Sequence, residues 1–184
     1  AFTSRRVHIG MDEAHNVGRG KYLDKHGYEE ANPIMAKHLE RVVAIAEKYG
    51  FKPMMWSDMF FRTLNGGGYY IGEKTAHVTD EVRNSVPKNV ELVYWDYYQD
   101  DKRAYDIMFD RHAEFNNKTV FAGGAWKWKG FAPKNRISCS RTELAFASAK
   151  EHGITDAFLT MWGDDGGECS KFTLLPSLFS AACA

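Results

Sequence analysis

The sequence has few cysteines, no excess of charge of either sign and no long hydrophobic run. Its three cysteines, Cys139, Cys169 and Cys183, are too few and too scattered for a disulfide framework or a zinc knuckle, so we expect free thiols in a reducing compartment. The 24 basic and 24 acidic side chains cancel, which argues against nucleic acid or an anionic membrane as the partner. No apolar run approaches the roughly 20 residues that span a bilayer.

The amino terminus also lacks an initiator methionine and an apolar signal core. The segment Ala1–Arg6 leads directly into strand-like sequence, which is typical of a chain already in progress. Targeting signals are therefore not readable here. The expected free thiols favour the cytoplasm, and the localisation is otherwise unknown.

Aromatic side chains, by contrast, are abundant. They make up 14% of the residues and include five tryptophans. With 44% hydrophobic and 26% charged residues, the 184-residue chain can fold around a sizeable core, and we predict a single domain over residues 1–184. The aromatic content indicates a function that uses flat apolar faces.

Short apolar runs recur a few tens of residues apart, each followed by polar or glycine-rich sequence and then by a helical pattern. The runs are Val7–Met11, Phe51–Trp56, Val90–Trp95, Thr119–Ala122 and Ala157–Trp162. This spacing is typical of βα units and not of a β-sandwich. Such units favour parallel strands with right-handed crossovers, in a sheet covered on both faces or closed into a barrel.

The intervening helices carry start and stop signals. Asn32 and Pro33 are typical of an N-cap and a first helical position, and Gly50 of a helix end. The predicted helices are Asn32–Gly50, Thr79–Val86 with Thr79 as cap, Asp101–Phe115, Ser140 or Thr142 to Gly153, and Leu174–Ala182 with Pro176 in the first turn.

Carboxylates and tryptophans follow the ends of the five runs. They are Asp12-Glu13, Trp56-Ser-Asp58, Trp95-Asp-Tyr97, Trp126 and Trp162-Gly-Asp164. Active sites of (β/α) barrels lie at the carboxyl ends of the strands, so these residues predict one shared pocket. A sugar suits it, because pyranose C–H faces stack on tryptophan and hydroxyls bind carboxylates. Core packing remains the alternative for each tryptophan taken singly.

The adjacency of Asp12 and Glu13 bears on the mechanism. A usual retaining glycosidase holds two carboxylates about 5–5.5 Å apart across the scissile bond, and chain neighbours do not easily straddle a bond in that way. The pair fits better the exception in which the substrate's own 2-acetamido oxygen is the nucleophile. One carboxylate then acts as the acid, and its neighbour orients the amide.

The segment His8-Ile-Gly-Met-Asp-Glu13 resembles the H-x-G-x-D-E signature of family 20 glycoside hydrolases, the β-N-acetylhexosaminidases. Further segments are similar to a bacterial intracellular-type branch of that family: Ala14-His15-Asn16, Met55–Phe60, Trp95–Tyr98 and Met161–Gly166. The resemblance covers nearly the whole chain. It implies an α/β fold, namely about five βα units of a partial TIM (β/α)8 barrel that correspond to strands 4–8, with strands 1–3 absent.

The resemblance also implies catalytic roles for individual residues. Glu13 would protonate the glycosidic oxygen and then act as general base for water. Asp12 would hold the acetamido N–H and stabilise an oxazolinium-like intermediate. Tyr97 best matches the family's tyrosine that hydrogen-bonds the acetamido carbonyl oxygen, and Tyr98 remains possible.

Substrate-binding residues follow from the same resemblance. Where the family commonly has Trp-x-Glu, this chain has Trp162 followed two residues later by Asp164. We therefore expect Asp164 to bind sugar hydroxyls. The next glutamate, Glu168, lies further along the chain. Trp128 is assigned no role. The expected pocket walls are Trp56, Trp95, Trp126 and Trp162.

The implied reaction removes terminal, non-reducing β-linked N-acetylglucosamine or N-acetylgalactosamine from an oligosaccharide or glycoconjugate, with retention and without a cofactor. No metal is expected, because His8, Asp12 and His15 match no zinc-binding spacing. The alternatives are a catalytically inactive carbohydrate-binding fragment and a two-carboxylate retaining glycosidase with Asp58, Asp96 or Glu168 as nucleophile. Five strands leave two open sheet edges, so the chain either self-associates through them or is a piece of a longer protein.

Overall fold

A computed structural model of the chain describes residues 3–164 and 168–184. The elements are β1 (Arg6–His8), α1 (Lys21–His26), α2 (Ala31–Lys48), β2 (Lys52–Trp56), α3 (Asp58–Leu64), α4 (Asp80–Asn84), β3 (Glu91–Trp95), α5 (Lys102–Ala113), β4 (Thr119–Gly124), α6 (Asn135–Glu151), β5 (Ala157–Thr160) and α7 (Leu175–Cys183), with 3₁₀ turns at Gly72–Lys74 and Lys171–Leu174. The predicted alternation of strands and helices is confirmed.

The five strands form one sheet whose spatial order follows the chain, β1-β2-β3-β4-β5. Val7 aligns with Pro53, Met55 with Leu92 and Phe121 with Ala157, all in parallel register. A doubly wound sheet reverses its strand order at a switch point, whereas a (β/α)8 barrel keeps chain order around the sheet. The α/β class and a sheet consistent with part of such a barrel are therefore confirmed.

Two predicted strands end earlier than expected. β1 stops at His8 instead of Met11, because Gly10 and Met11 adopt left-handed backbone angles, with φ of 72° and 76°, that a strand cannot continue through. β5 stops at Thr160 instead of Trp162. Both corrections place candidate site residues in loops that follow strands and not within the strands.

The chain divides into two compact units. The first comprises the residues up to Val93 together with Arg111–Thr119. Its core is apolar and aromatic, and Phe61 packs against both His112 and Phe115, with ring centroids 4.8 and 5.8 Å away. Apolar residues at helical spacing in α2 predict one buried stripe, and Met35, Leu39, Val43 and Ala46 of it are buried while Val42 is half-buried.

The second unit comprises Tyr94–Asp110 and Val120–Ala184. Its centre is an aromatic cluster in which Phe121 lies 5.4 Å from Tyr94 and 5.7 Å from Phe109, measured between ring centroids. Helices α6 and α7 are joined by a hydrogen bond from Ser177 Oγ to Asn135 Oδ1 of 2.6 Å. The part of α5 that belongs to this unit buries Tyr105, Met108 and Phe109.

Two helix starts differ from the prediction. Helix α2 begins at Ala31, so Asn32 and Pro33 lie in its first turn, and Asn32 is buried instead of capping. Helix α6 begins at Asn135, ahead of both Ser140 and Thr142. No side chain caps α6, and contacts distant in sequence fix its start instead, as when Asn135 Nδ2 donates to the Thr173 carbonyl at 2.8 Å.

Two other helix signals are confirmed. Thr79 caps α4, because its Oγ1 accepts the Val82 N–H at 3.3 Å. Helix α7 carries Pro176 in its first turn, where the missing N–H costs no helical hydrogen bond. No helix within residues 3–164 and 168–184 has the length and apolar character needed to cross a membrane.

Candidate active site at the carboxyl ends of the strands

The turn after β1 presents two adjacent carboxylates to solvent. Asp12 and Glu13 are both exposed, and the Glu13 side chain retains 56% of its accessible surface. Met11 and Glu13 adopt left-handed φ angles of 76° and 47°. Such angles cost non-glycine residues of order 1–3 kcal/mol each and cluster at functional sites, so this backbone is a physical reason to treat the turn as one.

A buried aspartate supports that turn from α3. The Asp58 side chain is completely buried, and its Oδ2 accepts the backbone N–H of Glu13 at 3.1 Å. The same oxygen accepts Nε of Arg62, one helical turn further on, at 3.0 Å. Arg62 Nη2 in turn lies 3.5 Å from Glu13 Oε1. Glu13 is thus held through its backbone by Asp58 and through its side chain by Arg62.

His8 lies beside Trp56, the last residue of β2. Its ring centroid is 4.3 Å from that of Trp56, and its Nδ1 accepts the Gly10 N–H at 3.0 Å. The neutral ring therefore carries its proton on Nε2, a buried atom with no hydrogen-bond partner among the described residues. Burial lowers the pKa of His8, and the charge of Asp12 partly opposes that shift.

The carboxylates proposed as alternative nucleophiles differ in their environments. Asp58 is buried and engaged as described, although its Oδ1 has no hydrogen-bond partner among the described residues. Asp96 is also buried, and it accepts Tyr94 Oη at 3.1 Å and the Tyr98 N–H at 2.9 Å. Burial raises the pKa of Asp96. Both carboxylates are buried and bonded within the protein, whereas Glu168 is exposed.

The second unit gathers the other aromatic candidates into one cluster. Trp95 and Tyr97 stack with centroids 5.5 Å apart, and Tyr97 packs on Trp128 at 5.1 Å. Trp128 stacks on Trp126 at 4.9 Å with only 5° between the ring planes. Lys134 Nζ lies 4.3 Å above the Trp126 ring. The cluster is a set of flat faces following the carboxyl ends of β3 and β4.

Tyr97 is the better placed of the two candidate tyrosines. It is buried, whereas Tyr98 is 52% exposed. Its hydroxyl oxygen accepts Nε1 of Trp162 at 3.0 Å, and the Thr160 side chain is a further hydrogen-bond partner of this hydroxyl. Burial raises the pKa of Tyr97 to about 12, against weaker opposing bonds from Thr160 and Trp162. Tyr97 therefore remains a protonated donor throughout the neutral pH range.

The loop after β5 is described only in part. Trp162 is 37% exposed while bonded to Tyr97, and the expected hydroxyl-binding residue, Asp164, is exposed. Asp165 and Gly166, which belong to the fifth matching segment, lie outside the described residues. The predicted binding of sugar hydroxyls by Asp164 stays a prediction.

The predicted site residues thus fall into two groups. Asp12, Glu13 and Trp56 belong to the first unit, and Trp95, Tyr97, Trp126, Trp162 and Asp164 belong to the second. Sequence reasoning missed Arg62 and Trp128. Arg62 had a signal, because it lies four residues after Asp58 on a helix, and Trp128 had the alternation with Trp126.

Within the described parts of the chain, no group of three or more histidine, cysteine or acidic side chains could hold a metal ion. No protein-family model matches the chain, and no curated protein matches it significantly. The assignment to family 20 glycoside hydrolases accordingly stays a prediction that depends on the motifs and on the geometry above.

Proposed function

We propose that the chain carries the acid–base centre of a β-N-acetylhexosaminidase that corresponds to strands 4–8 of a (β/α)8 barrel. The observation that carries this proposal is the strained turn after β1, which exposes adjacent carboxylates and anchors one of them to buried Asp58. Strained backbone conformations are retained at functional sites, and in this proposal the strained turn orients the side chain that reacts with the substrate.

The proposed chemistry uses the substrate's own acetamido group. The Glu13 carboxylic acid gives its proton to the glycosidic oxygen while the acetamido carbonyl oxygen attacks the anomeric carbon and the bond to the aglycone breaks. Glu13, now a carboxylate, takes a proton from the water that opens the oxazolinium-like intermediate. Asp12 holds the acetamido N–H during both steps.

The second unit supplies chemistry of the kind that a sugar needs. Tyr97 carries a protonated hydroxyl, a group that can donate a hydrogen bond to an acetamido carbonyl oxygen. Trp162, which is 37% exposed, offers an apolar surface for pyranose C–H groups, whereas Trp128 is buried against Trp126. These features support a saccharide ligand more directly than the composition does.

A carbohydrate-binding fragment without turnover is the second candidate. The partly exposed Trp162 favours it, since an apolar face can bind a sugar ring without a carboxylate. In the two-carboxylate retaining mechanism, exposed Glu168 is the remaining candidate nucleophile, because Asp58 and Asp96 are both buried and bonded.

Inhibition by a thiazoline mimic of the intermediate tests the proposal. We expect hydrolysis of a nitrophenyl N-acetyl-β-glucosaminide, and inhibition by the thiazoline at concentrations at least about 10²-fold below the substrate KM, because intermediate mimics bind far more tightly than substrate. Mass spectrometry should show no covalent glycosyl-enzyme. A covalent adduct would establish the two-carboxylate route, and sugar binding without hydrolysis would establish the binding fragment.

A further inference from the structure

The Asp58 carboxylate joins two elements that meet at the candidate acid. It lies at the first position of α3, fully buried, and one oxygen receives both the Glu13 N–H at 3.1 Å and the Arg62 Nε at 3.0 Å. A buried carboxylate without these donors would be strongly destabilising. The bond to Glu13 helps to satisfy this buried carboxylate, and it holds a residue whose backbone angle glutamate rarely adopts.

The Arg62 guanidinium extends this support to the Glu13 side chain and to the glycine loop. Its Nη2 lies 3.5 Å from Glu13 Oε1, and its Nη1 donates to the carbonyl of Gly67 at 3.3 Å. The loop bonds back, because the Gly67 N–H donates to the Arg62 carbonyl at 2.6 Å. Gly67 can do so at a φ of 112°, which side-chain-bearing residues rarely adopt.

We propose that Asp58 and Arg62 are positioning residues, which together aim the Glu13 carboxyl at the leaving-group oxygen and connect it to the Gly66–Gly68 turn. This inference rests on the proposed function, because it presumes that Glu13 is the acid. The planar guanidinium is required, since its fork reaches Asp58, Glu13 and Gly67 at once, whereas a lysine ammonium is a single point charge. Neither residue touches substrate in this proposal.

Leaving-group dependence separates positioning from a merely structural role. A dinitrophenolate leaves without a proton, whereas a methylumbelliferyl group and, more strongly, an alkyl group need the acid. In Arg62→Gln and Arg62→Lys we expect kcat for the alkyl N-acetyl-β-glucosaminide to fall about 10- to 100-fold, since small misplacements of a reacting group cost up to about that much. The kcat for the dinitrophenyl substrate should fall less than about threefold, and the KM of each substrate should change little.

A second readout needs no activity. Amide hydrogen exchange at Glu13 should accelerate at least about tenfold in Asp58→Asn, because the amide carbonyl is a weaker acceptor than the carboxylate. Asp106→Asn is the matched control, since it removes another i,i+4 ion pair, that of Lys102 with Asp106. The control should change neither the Glu13 exchange rate nor the ratio of the two substrates.

The outcomes are distinguishable. Equal losses on both substrates in the Arg62 variants, or unchanged Glu13 exchange in Asp58→Asn, would overturn the positioning proposal. If the unaltered chain hydrolyses neither substrate, the proposed function fails. Faster exchange of the Glu13 amide in Asp58→Asn would then show that Asp58 holds the Glu13 backbone although Glu13 is not a catalytic acid. A fall in kcat confined to the alkyl substrate, together with faster Glu13 exchange, supports both the proposed function and the positioning role of Asp58 and Arg62.

Discussion

Glu13 combines an exposed carboxylate with a backbone angle that glutamate seldom adopts. The motif that contains it indicates the chemistry, because adjacent carboxylates after a strand suit an acid and its partner. The motif does not reveal which residues hold Glu13 in place. Asp58 and Arg62 lie 45 and 49 residues further along the chain, and only the parallel pairing of β1 with β2 brings them to the turn.

The aromatic residues likewise divide into those that the sequence predicts and those whose positions depend on the fold. Trp95 and Trp126 are predictable from their positions after strands, and the choice of Tyr97 over Tyr98 follows from alternation with Trp95. The stacking of Trp128 on Trp126 is not predictable in this way, since it depends on the path of the loop. That path is fixed by hydrogen bonds such as Lys134 N–H to the Trp126 carbonyl at 2.9 Å.

His8 provides a test of the charge arrangement at the turn. Its pKa is lowered below about 6.5 by burial, so the unfolded chain binds the proton more readily and His8 contributes a loss of stability as pH falls below that value. The Asp12 charge raises the pKa, so Asp12→Asn should lower it further. An NMR titration of the His8 ring proton measures both midpoints.

The control for this titration is Asp80→Asn, because Asp80 is an exposed acid that pairs with Arg83, whereas the charge that acts on His8 is that of Asp12. Its His8 midpoint should equal that of the unaltered chain. A midpoint that stays put in Asp12→Asn would mean that Asp12 does not lie near His8 as described.

At the scale of elements, a helix is predictable from the sequence when the residues that fix its ends lie within or beside it. Helices α4 and α7 carry their own signals in Thr79 and Pro176. Helix α3 escapes sequence reasoning because four of its seven residues are buried, which erases the alternation between an apolar and a polar face. The start of α6 escapes it because Asn135 is fixed by partners in the segment 173–177.

The two outer strands differ in how they protect their edges. β1 is only three residues long, which limits pairing at its edge, and its Arg6 pairs with Glu91 of β3 at 2.5 Å. β5 is paired only with β4 among the described residues, and it exposes Ala157 and 37% of Phe158. An apolar strand edge favours pairing with another chain, so self-association should proceed through β5.

Sedimentation equilibrium tests this expectation. The chain should show a mass above 20.9 kDa that rises with concentration. Phe158→Lys should shift it toward the monomer by placing a charge on the β5 edge, whereas Phe131→Lys should not, because Phe131 is 86% exposed outside any strand. A monomeric mass at every concentration would contradict association through β5.

At the scale of the whole molecule, the repeating apolar runs were sufficient to predict a parallel α/β sheet. Chain-order pairing of the strands then favours part of a barrel over a doubly wound sheet. The division into two compact units was not predictable, because it depends on contacts between distant segments such as Arg111–Thr119 and the residues before Tyr94. The site residues divide between those units, and their joint action stays a prediction.

Hydrolysis of a nitrophenyl N-acetyl-β-glucosaminide by the unaltered chain and by Glu13→Gln tests the central claim most directly. The account predicts turnover that falls at least about 10²- to 10⁴-fold in Glu13→Gln, the contribution of general acid–base catalysis. Glu30→Gln, a neutralised exposed glutamate at the start of α2, is the matched control and should retain full activity. Equal turnover in Glu13→Gln, or none in the unaltered chain, would contradict the claim.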